Sequence, residues 1–259
     1  MALSNRRSRP GLPAARSIVA EMPFTPGGVG RRRLSARGVP STYRILRTTE
    51  VDPYDAPIAR ANVAAIGAAA GPPGDSFKGT SRKSAKLSIV AGAPDQFDDL
   101  KKLIGDLSRD ADMIAHDPPI TTEQNSGRVP EERRNVRVRA FLYAASREAD
   151  NDFHLIIGRS PSKSPSMYMT VELSGLPPKS STHFSRLKKT RDNYKSFFSN
   201  NLPGLTYDFY DPPIPMEVEG SMFFDMSHAE GSKPGPKSLR SKIPTIWEIH
   251  PISKIVFEP

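Results

Sequence analysis

Thr245-Ile246-Trp247-Glu248-Ile249-His250-Pro251-Ile252 has the pattern of a closing β-strand, and the rest of the chain is best understood from it. It contains the only Trp of the protein, and Glu248 precedes His250 by two residues. Residues two apart on a strand point to the same side, so this carboxylate and this imidazole are expected on one face. The stretch therefore predicts both a final strand and one half of a polar site.

Two earlier stretches repeat this chemistry. Asp152 lies two residues before His154 in a strand-like run, and Asp225 lies three residues before His228 just after another run. Carboxylates and imidazoles together suit a divalent metal ion, or an acid/base pair in which the carboxylate fixes the histidine tautomer. We predict metal ligands at Asp152, His154, Asp225, His228, Glu248 and His250, with catalytic roles for Asp152, His154, Glu248 and His250. The alternative is that each pair is a structural hydrogen bond.

Composition excludes several classes of protein. The 259 residues include no Cys, so neither disulfides nor a thiolate metal site can form. No apolar run approaches the ~20 residues of a membrane span, and residues 1–20 lack the apolar core of a secretory signal. The sequence therefore predicts a cytoplasmic protein with no membrane partner.

The positive charge is concentrated near the N-terminus. Residues 1–50 contain ten Arg and two acidic residues, which accounts for eight of the nine net positive charges. Pro and Gly interrupt every possible helix in this region. We predict a basic, disordered arm over residues 1–84, with Arg31, Arg32 and Arg33 available to nucleic acid or to an acidic protein surface. The alternative is a solvated arm with no partner.

Five strands are predicted in the C-terminal half from period-two alternation and from turn residues. They cover Val136–Tyr143, Phe153–Ile157, Met167–Leu173, Met216–Phe224 and Trp247–Phe257. Gly220 is expected to mark a bulge, and Pro251 is expected to interrupt the last strand. The prolines at 212, 213 and 215 predict a turn.

One predicted helix, His183–Phe198, falls between the third and fourth of these strands. That order is typical of an OB-like five-stranded antiparallel barrel. We therefore predict a mainly β protein with added helices, in which residues 131–259 form the barrel and a largely irregular N-terminal region precedes it.

Residues 85–130 are predicted to connect the arm to the barrel and to pack on it. Phe97, Leu100, Leu103, Ile104 and Leu107 recur at three- and four-residue steps, which predicts an amphipathic helix. The helix is expected to begin at Pro94-Asp95, after a possible strand over Lys86–Ala91. A linker follows up to residue 130.

Three short motifs resemble those of functionally uncharacterised bacterial proteins, many of them secreted, that are built on a small barrel. The motifs are Asp150-x-Asp152-x-His154-Leu155, Phe223-Phe224-Asp225 with His228 after Val218-Glu219-Gly220, and Glu248-Ile249-His250-Pro251. The resemblance covers residues 134–257 and implies a barrel fold with these residues grouped. It implies no reaction. A long basic insertion after His228 departs from the pattern.

Two functions from different classes are compatible with the sequence, and the first is a nucleic-acid-binding module. Basic residues of the predicted helix and of the arm would contact the phosphates, and Phe141, Tyr143, Tyr168 or Trp247 would stack on bases if exposed. The basic residues are Arg31, Arg32, Arg33, Arg186, Lys188, Lys189 and Arg191.

The second function is a metal-dependent, phosphodiesterase-like hydrolase that uses the carboxylate and histidine residues. A third possibility is a structural or interaction protein with no catalytic role. The sequence does not decide whether the protein is an enzyme, and the fold does not either, because barrels of this class have both functions.

Overall fold

A computed structural model of the chain describes residues 18–27, 42–52, 74–231 and 233–258. Eight strands form one mixed sheet in this part of the chain. They are β1 (Ile18–Phe24), β2 (Tyr43–Thr48), β3 (Asp95–Phe97), β4 (Asn135–Arg147), β5 (Phe153–Gly158), β6 (Tyr168–Leu173), β7 (Asp208–Phe224) and β8 (Trp247–Phe257).

The strand order is β1-β2-β7-β8-β6-β5-β4-β3, and β7 also pairs with β4. The pairings from β4 through β5, β6, β8 and β7 therefore return to β4. Within this circuit β6 and β8 are parallel, and the other four pairings are antiparallel. All five strands of the circuit coincide with predicted strands, so a mainly β fold is confirmed. The sheet has three further strands that the sequence analysis did not predict.

The N-terminal region contributes two of these extra strands. β1 and β2 pair with each other in antiparallel fashion, and β2 pairs with β7. Arg47 on β2 donates two hydrogen bonds to Asp208 on β7. The predicted disordered arm over residues 1–84 is therefore wrong for β1 and β2, because both are paired strands of the sheet. Arg31, Arg32 and Arg33 lie outside the described residues.

β7 is longer than predicted, and it includes the prolines that were expected to form a turn. Pro215 and Ile214 pair with β4, and pairing with β4 resumes at Phe209 after a register shift. The residues in between carry Pro212 and Pro213. A proline has no N–H to donate to a strand ladder. Pro212 and Pro213 lie where the pairing of β7 with β4 is interrupted, so β7 continues through them.

Gly220 lies at the predicted bulge, with register shifts on either side of it against β8. An added Cβ at Gly220 would approach the side chain of Ile249 to 2.6 Å and would collide with the carbonyl of Pro251. The expected interruption at Pro251 is wrong, because β8 runs without a break from Trp247 to Phe257. Pro251 lies between Ile249 and Ile252, where the register of β8 with β7 shifts.

Five helices accompany the sheet in the described part of the chain. They are α1 (Lys83–Lys86), α2 (Leu100–Gly105), α3 (Asp110–Ile114), α4 (Phe184–Phe198) and α5 (Lys237–Arg240). The prediction of α4 between β6 and β7 is confirmed. The predicted strand over Lys86–Ala91 is wrong, since α1 ends at Lys86 and residues 87–91 form neither helix nor strand. The predicted helix from Pro94 begins late at Leu100, because residues 95–97 pair with β4 as β3 and Asp99 caps α2 by accepting from the Lys101 N–H. None of the described helices has the length and apolar character needed to cross a membrane.

The five strands of the circuit bury different side chains on their two faces. Phe153, Leu155 and Leu173 belong to the main hydrophobic core. His154 and Glu172 alternate with them and therefore point to the opposite face, which also carries a smaller apolar cluster that includes Ile156. The polar site described below is built on that second face.

Candidate metal centre

Strand register places four ionisable side chains next to one another. His154 on β5 is paired with Glu172 on β6, and Thr170 on β6 is paired with Glu248 on β8. Because side chains alternate along a strand, His154, Glu172, Glu248 and His250 share the face opposite the main core. All four are at most 2% exposed. The fold thus places an acidic and histidine-rich patch in the interior.

His250 is enclosed by carboxylates. Its Nε2 lies 3.3 Å from Oδ2 of Asp152, and its Nδ1 lies 2.8 Å from Oε2 of Glu172. Neither contact has the angle of a hydrogen bond. Burial alone would lower the pKa of His250, but the charge of Glu172 and the contacts to both carboxylates outweigh it and raise the pKa well above its usual value. His250 therefore carries positive charge in the absence of a bound cation.

His154 is held differently. Its Nδ1 contacts Glu148 and lies 3.8 Å from Oε1 of Glu172. Burial lowers the pKa of His154, so the ring is neutral. Its Nε2 is buried and has no hydrogen-bond partner among the described residues. A neutral imidazole with one nitrogen fixed by a carboxylate offers the other as a lone-pair donor.

A third group forms where β7 ends. Asp225 follows the strand, and its Oδ1 accepts from the Ser227 N–H at the start of a 3₁₀ turn, Met226–His228. The Oδ2 of Asp225 lies 3.8 Å from Nε2 of His228. One ligand atom from each of Asp225, His228 and Glu248 lies within 4.8 Å of the others. Two carboxylates and one imidazole thus face a common point.

Glu248 is the least compensated member of this group. It is fully buried, and neither of its oxygens accepts a hydrogen bond from a described residue. Nδ1 of His250 is 3.8 Å from its Oε2, which is too far for a hydrogen bond. Burial and then the charge of Glu172 raise the pKa of Glu248 well above its usual value. A buried carboxylate without donors has to be protonated or to meet a cation.

A cavity of about 410 Å³ opens onto this patch. Asp225, His228, Glu172, Asp150 and Glu148 line it. Residues 78–81 and Lys86, at the end of α1, line it as well. The site is therefore accessible from the cavity although most of its side chains are buried.

Lys86 is the one lysine buried in this wall, at 7% exposed. Its ammonium lies 5.6 Å from the centre of the Phe223 ring. Burial would lower the pKa of Lys86, but the charges of Glu172, Asp225 and neighbouring acids outweigh it and raise the pKa well above the usual value. It makes no hydrogen bond and no ion pair with any described residue.

Negative groups outnumber positive ones in the patch. The six carboxylates are Glu148, Asp150, Asp152, Glu172, Asp225 and Glu248, and they face Lys86 and three imidazoles. Burial, followed by the charge of Asp150, raises the pKa of Asp152 to about 7. Buried acids and histidines with strongly shifted pKa values are typical of functional sites, which makes this patch a candidate site.

The six predicted ligands lie in three neighbouring groups rather than around one point. Asp225 lies 3.8 Å from His228, and Glu248 lies 3.8 Å from His250, as paired in the prediction. Only the pairing of Asp152 with His154 is replaced. Asp152 contacts His250 rather than His154, because it lies just before the first residue of β5 and does not follow the alternation of that strand. The sequence analysis missed Glu148, Glu172 and Lys86. Glu172 had a signal, since it is the only charged residue in the strand Tyr168–Leu173.

The residues predicted to bind nucleic acid are largely engaged within the protein. Arg191 is fully buried and donates to the carbonyls of Leu173, Ser174 and Asn151, so its predicted contact with nucleic acid is wrong. Arg186 pairs with Glu219, and Lys188 pairs with Asp192. Only Lys189 is exposed with no ion pair among the described residues. Of the four candidate stacking rings, Tyr143, Tyr168 and Trp247 are buried.

The chain matches no family model, no curated protein and no solved structure. Its function is therefore inferred from the contacts, burial and charges given above.

Proposed function

We propose that the chain is a metal-dependent hydrolase that binds a divalent cation at Asp225, His228 and Glu248. The observation that carries this proposal is the carboxylate of Glu248, which is fully buried and receives no hydrogen bond on either oxygen from any residue that the structure describes. A divalent cation between Glu248, Asp225 and His228 would supply the missing positive partner. The three residues offer ligand atoms close enough to share one ion.

The types of ligand atom restrict which metal ion can bind. Two carboxylates and one imidazole suit Zn²⁺, Mn²⁺ or Fe²⁺ better than soft ions, which prefer the thiolates that this chain lacks. Three protein ligands also leave coordination positions for water, as in catalytic sites. The cavity beside Asp225 and His228 gives water and substrate a route to those positions.

The other residues of the patch would support the reaction. A bound divalent cation lowers the pKa of its water and so supplies hydroxide near neutral pH. His250 lies between Asp152 and Glu172 and beside Glu248, so it orients these carboxylates and fixes their charge. His154 and Glu148 extend the same network on the far side of Glu172.

The finer fold proposal is an OB-like barrel made of β4 to β8 with three strands added at its edges. It is supported by the closed circuit of pairings, by the parallel contact of β6 with β8, and by the position of α4 between β6 and β7. Nucleic-acid binding through the basic arm stays a prediction. No contact of the described residues favours it over hydrolysis.

Metal content tests the proposal directly. The full chain would be loaded with Zn²⁺ or Mn²⁺, dialysed, and analysed by mass spectrometry of the metal, and affinities would be measured by calorimetry. We expect one tightly bound ion in the wild type and a loss of about 10-fold or more in affinity for Glu248→Gln, which keeps the shape but removes the charge. Glu230→Gln is the matched control, since Glu230 is exposed close to His228.

Wild-type protein that retains no divalent metal, or a Glu248→Gln variant that binds it as well, would overturn the metal site. The hydrolase part is tested separately with the loaded protein on nitrophenyl mono- and diesters of phosphate. Turnover that disappears with chelation and in Glu248→Gln supports it. Tight metal binding with no turnover of either ester would remove the hydrolase and leave a metal-binding protein.

A further inference from the structure

We infer that Lys86 forms an anion-binding subsite beside the metal position and that it binds the phosphoryl oxygens of a phosphate ester substrate. This inference rests on the proposed function and names the substrate class for the same site. Lys86 belongs to none of the predicted motifs, and its role follows from its position in the cavity wall.

The ammonium of Lys86 has unused hydrogen-bonding capacity. An ammonium carries three hydrogen-bond donors. Lys86 is 93% buried, since only 7% of it is exposed, and no described residue accepts a hydrogen bond from it. It nevertheless lines the cavity. A ligand oxygen in that cavity would supply the acceptor that the protein does not.

The position of Lys86 is fixed by its surroundings. Arg128 donates to the carbonyl of Ala85 at 2.7 Å, to that of Ser88 at 3.2 Å and to that of His250 at 2.6 Å. These bonds tie the segment around Lys86 to β8, which carries Glu248. The ammonium also lies 5.6 Å from the centre of the Phe223 ring, which is within the range of a cation–π interaction. Lys86 is therefore preorganised, unlike a flexible surface lysine.

The metal ion and the ammonium of Lys86 would each bind a different oxygen of the ligand. A divalent ion between Asp225, His228 and Glu248 would bind one oxygen of the ligand. Lys86, in the wall of the same cavity, would bind another. Lys78 lines the same cavity and is exposed, so it adds positive charge at the entrance. An anion with several oxygens around one centre fits two cationic contacts, and a phosphate group is that kind of anion. The cavity of about 410 Å³ accommodates a small ester.

Calorimetry with metal and with inorganic phosphate tests the subsite in the full chain. In Lys86→Met, we expect phosphate affinity of the metal-loaded protein to fall by about 10- to 100-fold, as a charge-assisted hydrogen bond is lost. Metal affinity should instead stay equal or increase, because a like charge next to the cation has been removed. Lys86→Arg should keep most of the phosphate binding. Lys83→Met, in the same short helix, is the control.

In Lys86→Met, phosphate affinity is expected to fall while metal affinity is not. This difference distinguishes an anion subsite from a structural role of Lys86. Equal losses of metal and phosphate affinity in Lys86→Met, or phosphate binding that is unchanged, would overturn the inference. Lys86→Gln gives the same comparison should the Met variant not fold. Wild-type protein that binds metal but no phosphate would refute the subsite alone. Phosphate binding that depends on Lys86 in protein that binds no metal would retain the subsite and refute the proposed hydrolase.

Discussion

Arg82 and Glu132 form an ion pair in the interior of the protein, joined by hydrogen bonds of 2.8 and 2.7 Å. Their side chains are 1% and 0% exposed. Glu132 also accepts from the N–H of Phe224, and Arg82 donates to the carbonyl of the same residue. The pair thus holds the backbone immediately before Asp225, the first of the proposed metal ligands.

Glu132→Ala should be strongly destabilising, because it leaves the guanidinium of Arg82 buried without its partner. We expect a loss of about 3–5 kcal/mol in the free energy of unfolding, measured by urea denaturation. Asp98→Ala is the control, since its pair with Lys102 is exposed at 72% and 67%. The expected loss there is below about 1 kcal/mol. Equal effects of the two changes would contradict the structural role of the buried pair.

Arg191→Met should destabilise the protein far more than Lys189→Met does. The guanidinium of Arg191 is fully buried, contacts Asp75 and donates to three backbone carbonyls, and these acceptors would lose their donors. We expect a loss of about 3 kcal/mol or more from thermal or urea unfolding. Lys189 is exposed and should change stability by less than about 0.5 kcal/mol. Equal stability of both variants would show that Arg191 is not structural.

Gly220→Ala should destabilise the contact between β7 and β8. The new Cβ would lie 2.6 Å from Ile249 Cγ2 and 3.0 Å from the Cα of Ile252, so the backbone has to move. A loss of about 1–3 kcal/mol is expected. Gly105→Ala is the control, because nothing lies within 4 Å of the added atom. A Gly220→Ala protein with wild-type unfolding free energy would contradict the register at this bulge.

Asp99→Asn should reduce the pH dependence of stability in acid. The hydrogen bond from Arg159 and that from Lys163 hold the pKa of Asp99 well below its usual value of 3.8. A carboxyl whose folded pKa is depressed stabilises the fold above its unfolded pKa, and this contribution is lost as the pH falls below that value. Asparagine also caps helices, so the substitution removes mainly the charge.

Urea unfolding from about pH 6 to about pH 2 checks this expectation. Asp99→Asn should be less stable than the wild type at the upper end of the range, and the difference should shrink as the pH falls. Asp98→Asn is the neighbouring control, because its exposed charge is screened by salt. A difference that grows in acid would refute the assigned direction of the pKa shift.

A divalent cation should stabilise the wild type against thermal unfolding. At a metal concentration of about 100 times the dissociation constant, binding to the folded state adds about 2.7 kcal/mol. Differential scanning fluorimetry with Zn²⁺ or Mn²⁺ measures the shift, which should be lost in Glu248→Gln and kept in Glu230→Gln. An equal shift in all three proteins would indicate that the metal binds elsewhere.

Local patterns were enough to predict the strands of the closed circuit. The alternation of Val136 to Tyr143 and the β-branched runs near Phe153 and Trp247 are properties of the segments themselves. Local patterns failed where long-range pairing outweighs local preference. β2 pairs with β7, where Arg47 meets Asp208. β7 continues through Pro212 because its pairing with β4 is interrupted there.

The sequence alone identified six candidate site residues, since acids and histidines spaced along three short strand-like stretches are visible without a fold. Only the tertiary structure decided how they are combined. Parallel pairing of β6 with β8 brings Glu172 against His250, and α1 places Lys86 in the wall of the cavity that Glu172 also lines. These contacts depend on strand register and on enclosure from water, and both are properties of the assembled sheet rather than of any one segment.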